Sequence, residues 1–214
     1  MKSTPLGIVV LISGNGSNLQ AIIDAIAQQG IPARIQAVIS DQADAHGLIR
    51  AQKADIPTTV LSAKGYASRE AYDRDLQKVI DCYLPGLVVL AGFMRILSPG
   101  FVRHYQGRII NIHPSLLPKY TGLHTHERVL AAGDQEHGVT VHFVTEELDG
   151  GPLIAQSKLN ITPNDTAETL KTRVHVLEHA LYPKVIRWFA ENKLRLNNHH
   201  VEFDGKQLTL PINK

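Results

Sequence analysis

Ile109-Ile-Asn-Ile-His-Pro-Ser-Leu-Leu-Pro118 reads as a short strand that runs into a proline-bounded loop. Alternation puts Asn111 and His113 on one face of a short strand and Ile110 and Ile112 on the other. Pro114 cannot continue a central ladder, so the strand stops there. An amide and an imidazole therefore project together from the carboxyl end of a strand, which is where ligands bind in an open α/β sheet. Downstream, Glu146-Glu-Leu-Asp-Gly-Gly-Pro152 places a carboxylate, Asp149, ahead of two glycines. Asn, His and Asp suit acyl transfer: a hydrogen-bond donor, a proton carrier and a group to set its charge.

The chain upstream reads as alternating strands and helices. Leu6 to Ser13 is nearly all apolar, as a strand covered on both faces should be, and Gly14-Asn-Gly-Ser-Asn18 breaks it. Leu19, Ile22, Ile23 and Ile26 then recur at helical spacing. Strands follow at Arg34–Ser40, Pro57–Ser62 and Leu87–Ala91, with helices at Ala45–Ala54 and Ser68–Tyr83, the latter capped by Ser68. A short helix over Pro99–Tyr105 leads into the strand that starts at Ile109. This alternation predicts an α/β fold: a doubly wound, mostly parallel sheet with a Rossmann-type N-terminal half.

The glycine-rich turn at Gly14–Asn18 opens a helix, an arrangement that presents free N–H groups to an anion. It lacks the Lys-Ser/Thr of a nucleotide P-loop, and Leu19 stands where a dinucleotide fingerprint needs its third glycine. Asp41 lies about where a ribose-binding acid would sit in such a fingerprint. A single phosphate held by Gly16, Ser17 and Asn18 fits better; the alternative is a tight turn in which Ser or Asn caps the helix. The apolar loop Gly92–Pro99 either lines a pocket for a flat ligand or fills a corner of the core.

Beyond the central stretch, Leu117–His126 reads as a surface loop able to act as a lid, ahead of a helix near Val129–Ala132. His124-Thr-His126 by itself does not make a metal site. Gly138–Thr145 and Pro152–Leu159 read as antiparallel neighbours at the sheet edge. Val139, Val141 and Phe143 fall on one face of the first, Thr140 and His142 on the other. Asp165 and Glu168 form a capping-box-like start to a long C-terminal helix whose stripe is Leu170, Val174, Leu177, Leu181, Val185, Trp188 and Phe189. Pro183 should kink or restart that helix. Glu178 lies beside the stripe, where a carboxylate needs a partner or a ligand unless it sits on the wet edge. The tail, Leu194–Lys214, suggests a hairpin around Asp204-Gly205.

The 214 residues are read as one domain, with a phosphate-binding half over 1–105 and a catalytic half over 106–214. A net charge of +2, without a basic block, argues against nucleic acid as a partner. The single cysteine, Cys82, cannot form an internal disulfide and reads as a small core residue. Leu6–Ile12 is too short to span a bilayer, and Met1-Lys2 ahead of it is followed by no cleavage pattern. A soluble cytoplasmic protein is expected.

Ile12–Gln20, Ala91–Leu97, Asn111–Pro118 and Glu147–Pro152, in that order and spacing, closely resemble the folate-dependent formyltransferases, with similarity from about Ile8 to Phe189. The Asn-x-His…Asp set marks the wider family; Gly-Asn-Gly-Ser-Asn points to its phosphoribosylglycinamide members in purine biosynthesis. The resemblance implies formyl transfer from 10-formyltetrahydrofolate to the amine of glycinamide ribonucleotide (GAR), with no metal. It implies that Gly16, Ser17 and Asn18 hold the ribonucleotide phosphate and Glu178 its ribose hydroxyls. His175, where relatives often carry Gln, falls in the same substrate site. Arg69, Met94, Arg95, Ile96, Leu97, Asn111, Thr145, Glu146, Glu147, Leu148 and Asp149 would hold the folate. Thr121 replaces a frequent Pro in the lid loop, and the tail beyond Leu196 is the least family-like part. A monomer or weak homodimer is expected.

On this reading Asn111, His113 and Asp149 are catalytic. The Asn111 amide and a charged His113 would donate to the oxyanion of a tetrahedral intermediate, and Asp149 would favour that charge and hold a proton-relaying water. The rivals are a formyltetrahydrofolate hydrolase with water as acceptor, a transfer-RNA formyltransferase, and a catalytically silent nucleotide-binding module.

Overall fold

The computed structural model describes residues 4–214; Met1-Lys2 lie outside them. The apolar run at the start forms β1 (Leu6–Ile12), and the glycine turn opens α1 (Ser17–Gln29). The chain continues through β2 (Ala33–Ser40), α2 (His46–Lys53), β3 (Thr58–Val60), α3 (Arg69–Asp81), β4 (Leu87–Leu90), α4 (Pro99–His104) and β5 (Ile109–His113). After the lid loop come α5 (Thr125–Ala132), β6 (Glu136–Phe143), β7 (Leu153–Asn160) and α6 (Ala167–Ala190). The tail adds β8 (Leu194–Asn197), β9 (His200–Phe203), β10 (Lys206–Gln207) and β11 (Ile212–Asn213).

Eight strands form one sheet in the order β11-β7-β6-β5-β4-β1-β2-β3. β3, β2, β1, β4 and β5 run parallel, and β6 is antiparallel to both β5 and β7. The expected edge is itself covered: β11 pairs in parallel with β7 through Ile212 and Asn213. The other tail strands make a small antiparallel sheet, with the turn at Asp204-Gly205 between β9 and β10.

Alternation along β1 divides the core. Ile8, Val10 and Ile12 pack with Leu19 and Ile22 of α1 and Val174, Leu181 and Val185 of α6. Val9 and Leu11 pack on the opposite face with Tyr72, Leu76 and Ile80 of α3 and Phe101 of α4. Burying both faces explains why these strands read as continuous apolar runs. Among the described residues no helix is long and apolar enough to cross a membrane.

Local expectations are corrected in three places. The capping box of α6 is built one residue later, from Thr166 and Thr169, whose side chains and N–H groups exchange bonds of 3.2 and 2.9 Å. Asp165 instead accepts from the N–H and hydroxyl of Thr162 and pairs with Arg173. α6 does not restart at Pro183 but continues through it, with the proline buried between Tyr182 and Val185 in the packed stripe. Cys82 is exposed. It sits at the C-cap of α3, two residues past Ile80 and so rotated off the buried stripe.

Candidate active site

β5 delivers Asn111 and His113 to the carboxyl end of the sheet, and its antiparallel register with β6 sets Asn111 opposite His142 and His113 opposite Thr140. His142 is buried, and its Nδ1–H donates to the Phe143 carbonyl at 2.9 Å. Its Nε2 is thereby an acceptor and takes an N–H from Asn111 Nδ2 at 3.3 Å. This fixes which end of the Asn111 amide is the donor and leaves its second N–H free. Burial pushes the His142 imidazole below its ordinary range, consistent with a neutral ring.

The loop after β6 brings Asp149 back over β5. Asp149 adopts φ 53°, and its carboxylate Oδ2 lies 3.4 Å from His113 Nδ1, with both side chains almost fully buried. Gly151 must be a glycine here, because a Cβ would stand 1.8 Å from the Phe143 carbonyl oxygen. The lid loop completes the cluster with backbone groups: the Gly122 N–H donates to Asp149 Oδ2 at 2.8 Å, and His113 Nε2 faces the Tyr120 carbonyl at 2.8 Å. Each ring nitrogen thus faces an oxygen, the Tyr120 carbonyl at hydrogen-bond distance and the Asp149 carboxylate at 3.4 Å. In this conformation the Nε2–H reaches a substrate oxygen only after the Tyr120 carbonyl yields its place.

The glycine-rich turn follows β1, at the same carboxyl end of the sheet, with β4 between β1 and β5. Gly16 is the N-cap of α1 at φ 73°, with no side-chain cap, which overturns the reading of Ser17 or Asn18 as the capping residue. A Cβ at Gly16 would lie 2.6 Å from Gly47 Cα, so close packing on α2 and the left-handed backbone both demand glycine. The uncapped N–H groups at the start of α1 remain available to an anion. Asn18 turns its side chain across to α6, where Nδ2 donates to Glu178 Oε2 at 2.8 Å. Glu178 is 5% exposed, so it is on the buried side of the helix and not its wet edge. His175, one turn earlier, stacks on His179 with ring centroids 6.0 Å apart.

The residues expected to hold the folate fall into two groups. Met94, Ile96 and Leu148 are exposed apolar side chains. Leu97, by contrast, is buried in the core with Phe93, so the loop after β4 is a packed corner at its ends and an apolar surface at its middle. Arg95 lays its guanidinium over the Tyr72 ring at 4.5 Å, Arg69 pairs with Glu70, and Glu146 pairs with Arg103 at 2.6 Å. Thr145 bonds the Glu147 carbonyl at 3.4 Å, closing the turn that leads to Asp149.

Residues 6–186 match the model of the formyl transferase family. The chain belongs to that family. It is 57% identical over 203 residues to the phosphoribosylglycinamide formyltransferase of Escherichia coli (strain K12), covering 95% of this chain and 96% of that one. The phosphoribosylglycinamide formyltransferase of Coxiella burnetii, solved in complex with CHES, has a TM-score of 0.94 at 62% identity, over 98% of this chain and 99% of that one. Glycinamide ribonucleotide transformylase 1 from Symbiobacterium toebii has a TM-score of 0.91 at 42% identity, over 94% and 95% of the two chains. Membership in the formyl transferase family accords with the resemblance read from the four motifs and with the observed sheet.

Three features of this family member were not legible in its sequence. His142 becomes Asn111's partner only through the β5–β6 register. The lid's contribution is made by backbone groups of Tyr120 and Gly122, which no residue type announces. Asp41 has both carboxylate oxygens engaged, by Ser13 Oγ at 2.6 Å and Gln42 Nε2 at 3.1 Å, so it is not a free ribose-binding acid. His126 donates to or accepts from His137, 3.0 Å away, while His124 is exposed; among the described residues no cluster of three or more His, Cys, Asp or Glu is placed to hold a metal.

Burial pushes the Glu178 carboxyl up to about 7 from 4.5, against the lowering effect of the Asn18 bond. A raised folded pKa means the folded chain holds the proton more tightly than the unfolded one. The resulting stability is fully present below pH 4.5 and is lost as pH rises through about 7. Glu178→Gln keeps an acceptor for Asn18 without the buried charge. Urea melts should therefore show the variant more stable than the parent by about 3 kcal/mol at pH 8 and equal to it near the low end of the window. Equal stability at both pH values would show that the Glu178 carboxylate is not penalised by burial.

Proposed function

We propose that this chain transfers the formyl group of 10-formyltetrahydrofolate to the amine of GAR, giving formylglycinamide ribonucleotide and tetrahydrofolate. The observation that carries this reading is the clustering of Asn111, His113 and Asp149 at the carboxyl end of the sheet that also carries an uncapped helix N-terminus. A phosphate on the N–H groups of Gly16, Ser17 and Asn18, with ribose hydroxyls on Glu178, directs the glycinamide amine toward Asn111 and His113. The exposed middle of the loop after β4 and the turn at Thr145–Asp149 receive the flat pterin of the folate.

The amine lone pair attacks the formyl carbon, and the carbonyl electron pair moves onto oxygen. The free N–H of Asn111 donates to that oxygen, held in aim by His142. The His113 Nε2–H exchanges the Tyr120 carbonyl for the same oxygen, and Asp149 balances the imidazolium at Nδ1. A water at Asp149 takes the proton from the attacking nitrogen and returns it to the departing folate nitrogen as its bond to the formyl carbon breaks. These steps need no side-chain nucleophile.

Mixing the protein with 10-formyltetrahydrofolate, with and without GAR, and following folate absorbance tests this. Deformylation that depends on GAR is expected. Equal deformylation without GAR would make the chain a hydrolase, and no change in either case would make it a binding module. Within the same assay, Glu178→Ala should raise the KM for GAR about tenfold or more while leaving that for the folate near its parent value. Equal rises in both would remove Glu178 from the ribose site.

A further inference from the structure

In the strand order β4-β1-β2 the chain leaves β1 toward β2 and β3, then returns to the other side of β1 as β4. The carboxyl ends of β1 and β4 therefore flank the crevice where the winding reverses. The loop after β1 is the phosphate turn, and the loop after β4 carries Met94 to Leu97. One side-chain relay crosses this crevice. The Met94 N–H donates to Ser13 Oγ at 2.8 Å, and the Ser13 hydroxyl donates to Asp41 Oδ1 at 2.6 Å. The Ser13 N–H adds a bond to the Gly92 carbonyl at 3.0 Å.

We propose that Ser13 and Asp41 are positioning residues that lock the GAR loop and the folate loop at a fixed spacing. This rests on the assignment of those loops made under the proposed function. A serine hydroxyl has one hydrogen. The Asp41 carboxylate, 4% exposed, claims that hydrogen and so turns a lone pair of Ser13 Oγ toward Met94. Ser13 also immediately precedes Gly14, so the same residue begins the phosphate turn. Phe93 and Leu97 anchor the folate loop in the core, and the Ser98 N–H is held by Asp73. Between these anchors Met94 and Ile96 stand exposed, and the Ser13 bond fixes the height of that middle segment. A buried carboxylate with both oxygens committed inside the protein is explained by this orienting task and not by contact with substrate.

The test compares parent protein, S13A, S13T, D41A, D41N and the S13A/D41A double variant, measuring kcat, the KM for each substrate, tetrahydrofolate binding without GAR, and Tm. S13A should raise the KM for 10-formyltetrahydrofolate and weaken tetrahydrofolate binding by about tenfold, while kcat stays within about threefold. D41A should act in the same direction, and the double variant should be no worse than S13A, because both cut one relay. S13T and D41N, which keep the hydroxyl and the acceptor, should recover most of the lost affinity. A purely structural stitch would lower Tm and leave the KM values of the surviving enzyme unchanged, which would overturn the proposal. So would independent, multiplying effects of S13A and D41A. If S13A does not accumulate, D41A against D41N gives the same decision. Parent protein that fails to deformylate 10-formyltetrahydrofolate in the presence of GAR would overturn the functional assignment and the relay with it. Normal parent turnover with an unaltered S13A would overturn the relay alone.

Discussion

Asp149→Asn should lower kcat by about 10²–10⁴, the range expected when a proton-handling group is lost, and leave the KM for GAR within about twofold of the parent value. The asymmetry follows from where Asp149 sits. Its carboxylate lies against His113 Nδ1, His142 Nε2 and the Gly122 N–H, and among the described residues it hydrogen-bonds neither the Gly14–Asn18 turn nor Glu178. Asparagine preserves the volume and can still accept from Gly122, so the loop keeps its shape. On the proposed mechanism, what disappears is the negative charge beside His113 and the base that would hold the relaying water. The amide also presents either an N–H to a protonated ring nitrogen or an uncharged oxygen in place of a charged one. Steady-state kinetics with each substrate varied in turn check this. Turnover near the parent rate would show that Asp149 sets neither the charge nor the proton path.

Asn111→Ala should cost about 10²–10³ in kcat, the effect of removing one oxyanion donor. A second effect accompanies it. His142 Nε2, in a side chain 2% exposed, loses the N–H it accepts. An unsatisfied buried acceptor costs about 1–3 kcal/mol, so the variant should also unfold at lower denaturant concentration. The two losses separate by experiment, since kcat is read on folded enzyme and stability on its unfolding curve. A kcat within about threefold of the parent would remove Asn111 from the oxyanion site, whatever happened to stability.

The lid shapes both expectations. Tyr120, Gly122 and His124 all adopt left-handed backbone angles, and Tyr120 is held from outside the site by its hydroxyl on Asp134 at 2.9 Å. Arg128 donates to the Thr121 carbonyl and lies over the Tyr120 ring. The loop thus brings a carbonyl to His113 and an N–H to Asp149, occupying both groups before substrate arrives.

The four motifs, the strand that ends at Pro114 and the buried-type runs of β1 and β4 carry the architecture. Each expresses a local rule: alternation on a pleated strand, glycine at a sharp turn, proline at the end of a ladder. Local rules also misled at particular residues. The helical pattern around Cys82 points it into the core, but the helix ends at Asp81 and Cys82 is exposed. Asp165, a good capping residue, suggests a cap one residue early, whereas the chain enters the helix at Thr166, in extended conformation with ψ near 168°. Asp41 had the right position for a ribose acid but is committed to Ser13.

The strand and helix order, the face on which Asn111 and His113 project, the glycine turn and the family likeness are all legible in the residue pattern. These depend on side-chain period and on residues whose backbone preferences act over a few positions. Only the tertiary structure decided that His142 holds Asn111, that backbone groups of Tyr120 and Gly122 cover the His113–Asp149 pair, that Asn18 meets Glu178 across 160 positions, and that Ser13 joins two loops. Those contacts arise where separate strands and helices converge, and strand register, loop return and helix packing, which set them, are properties of the assembled sheet.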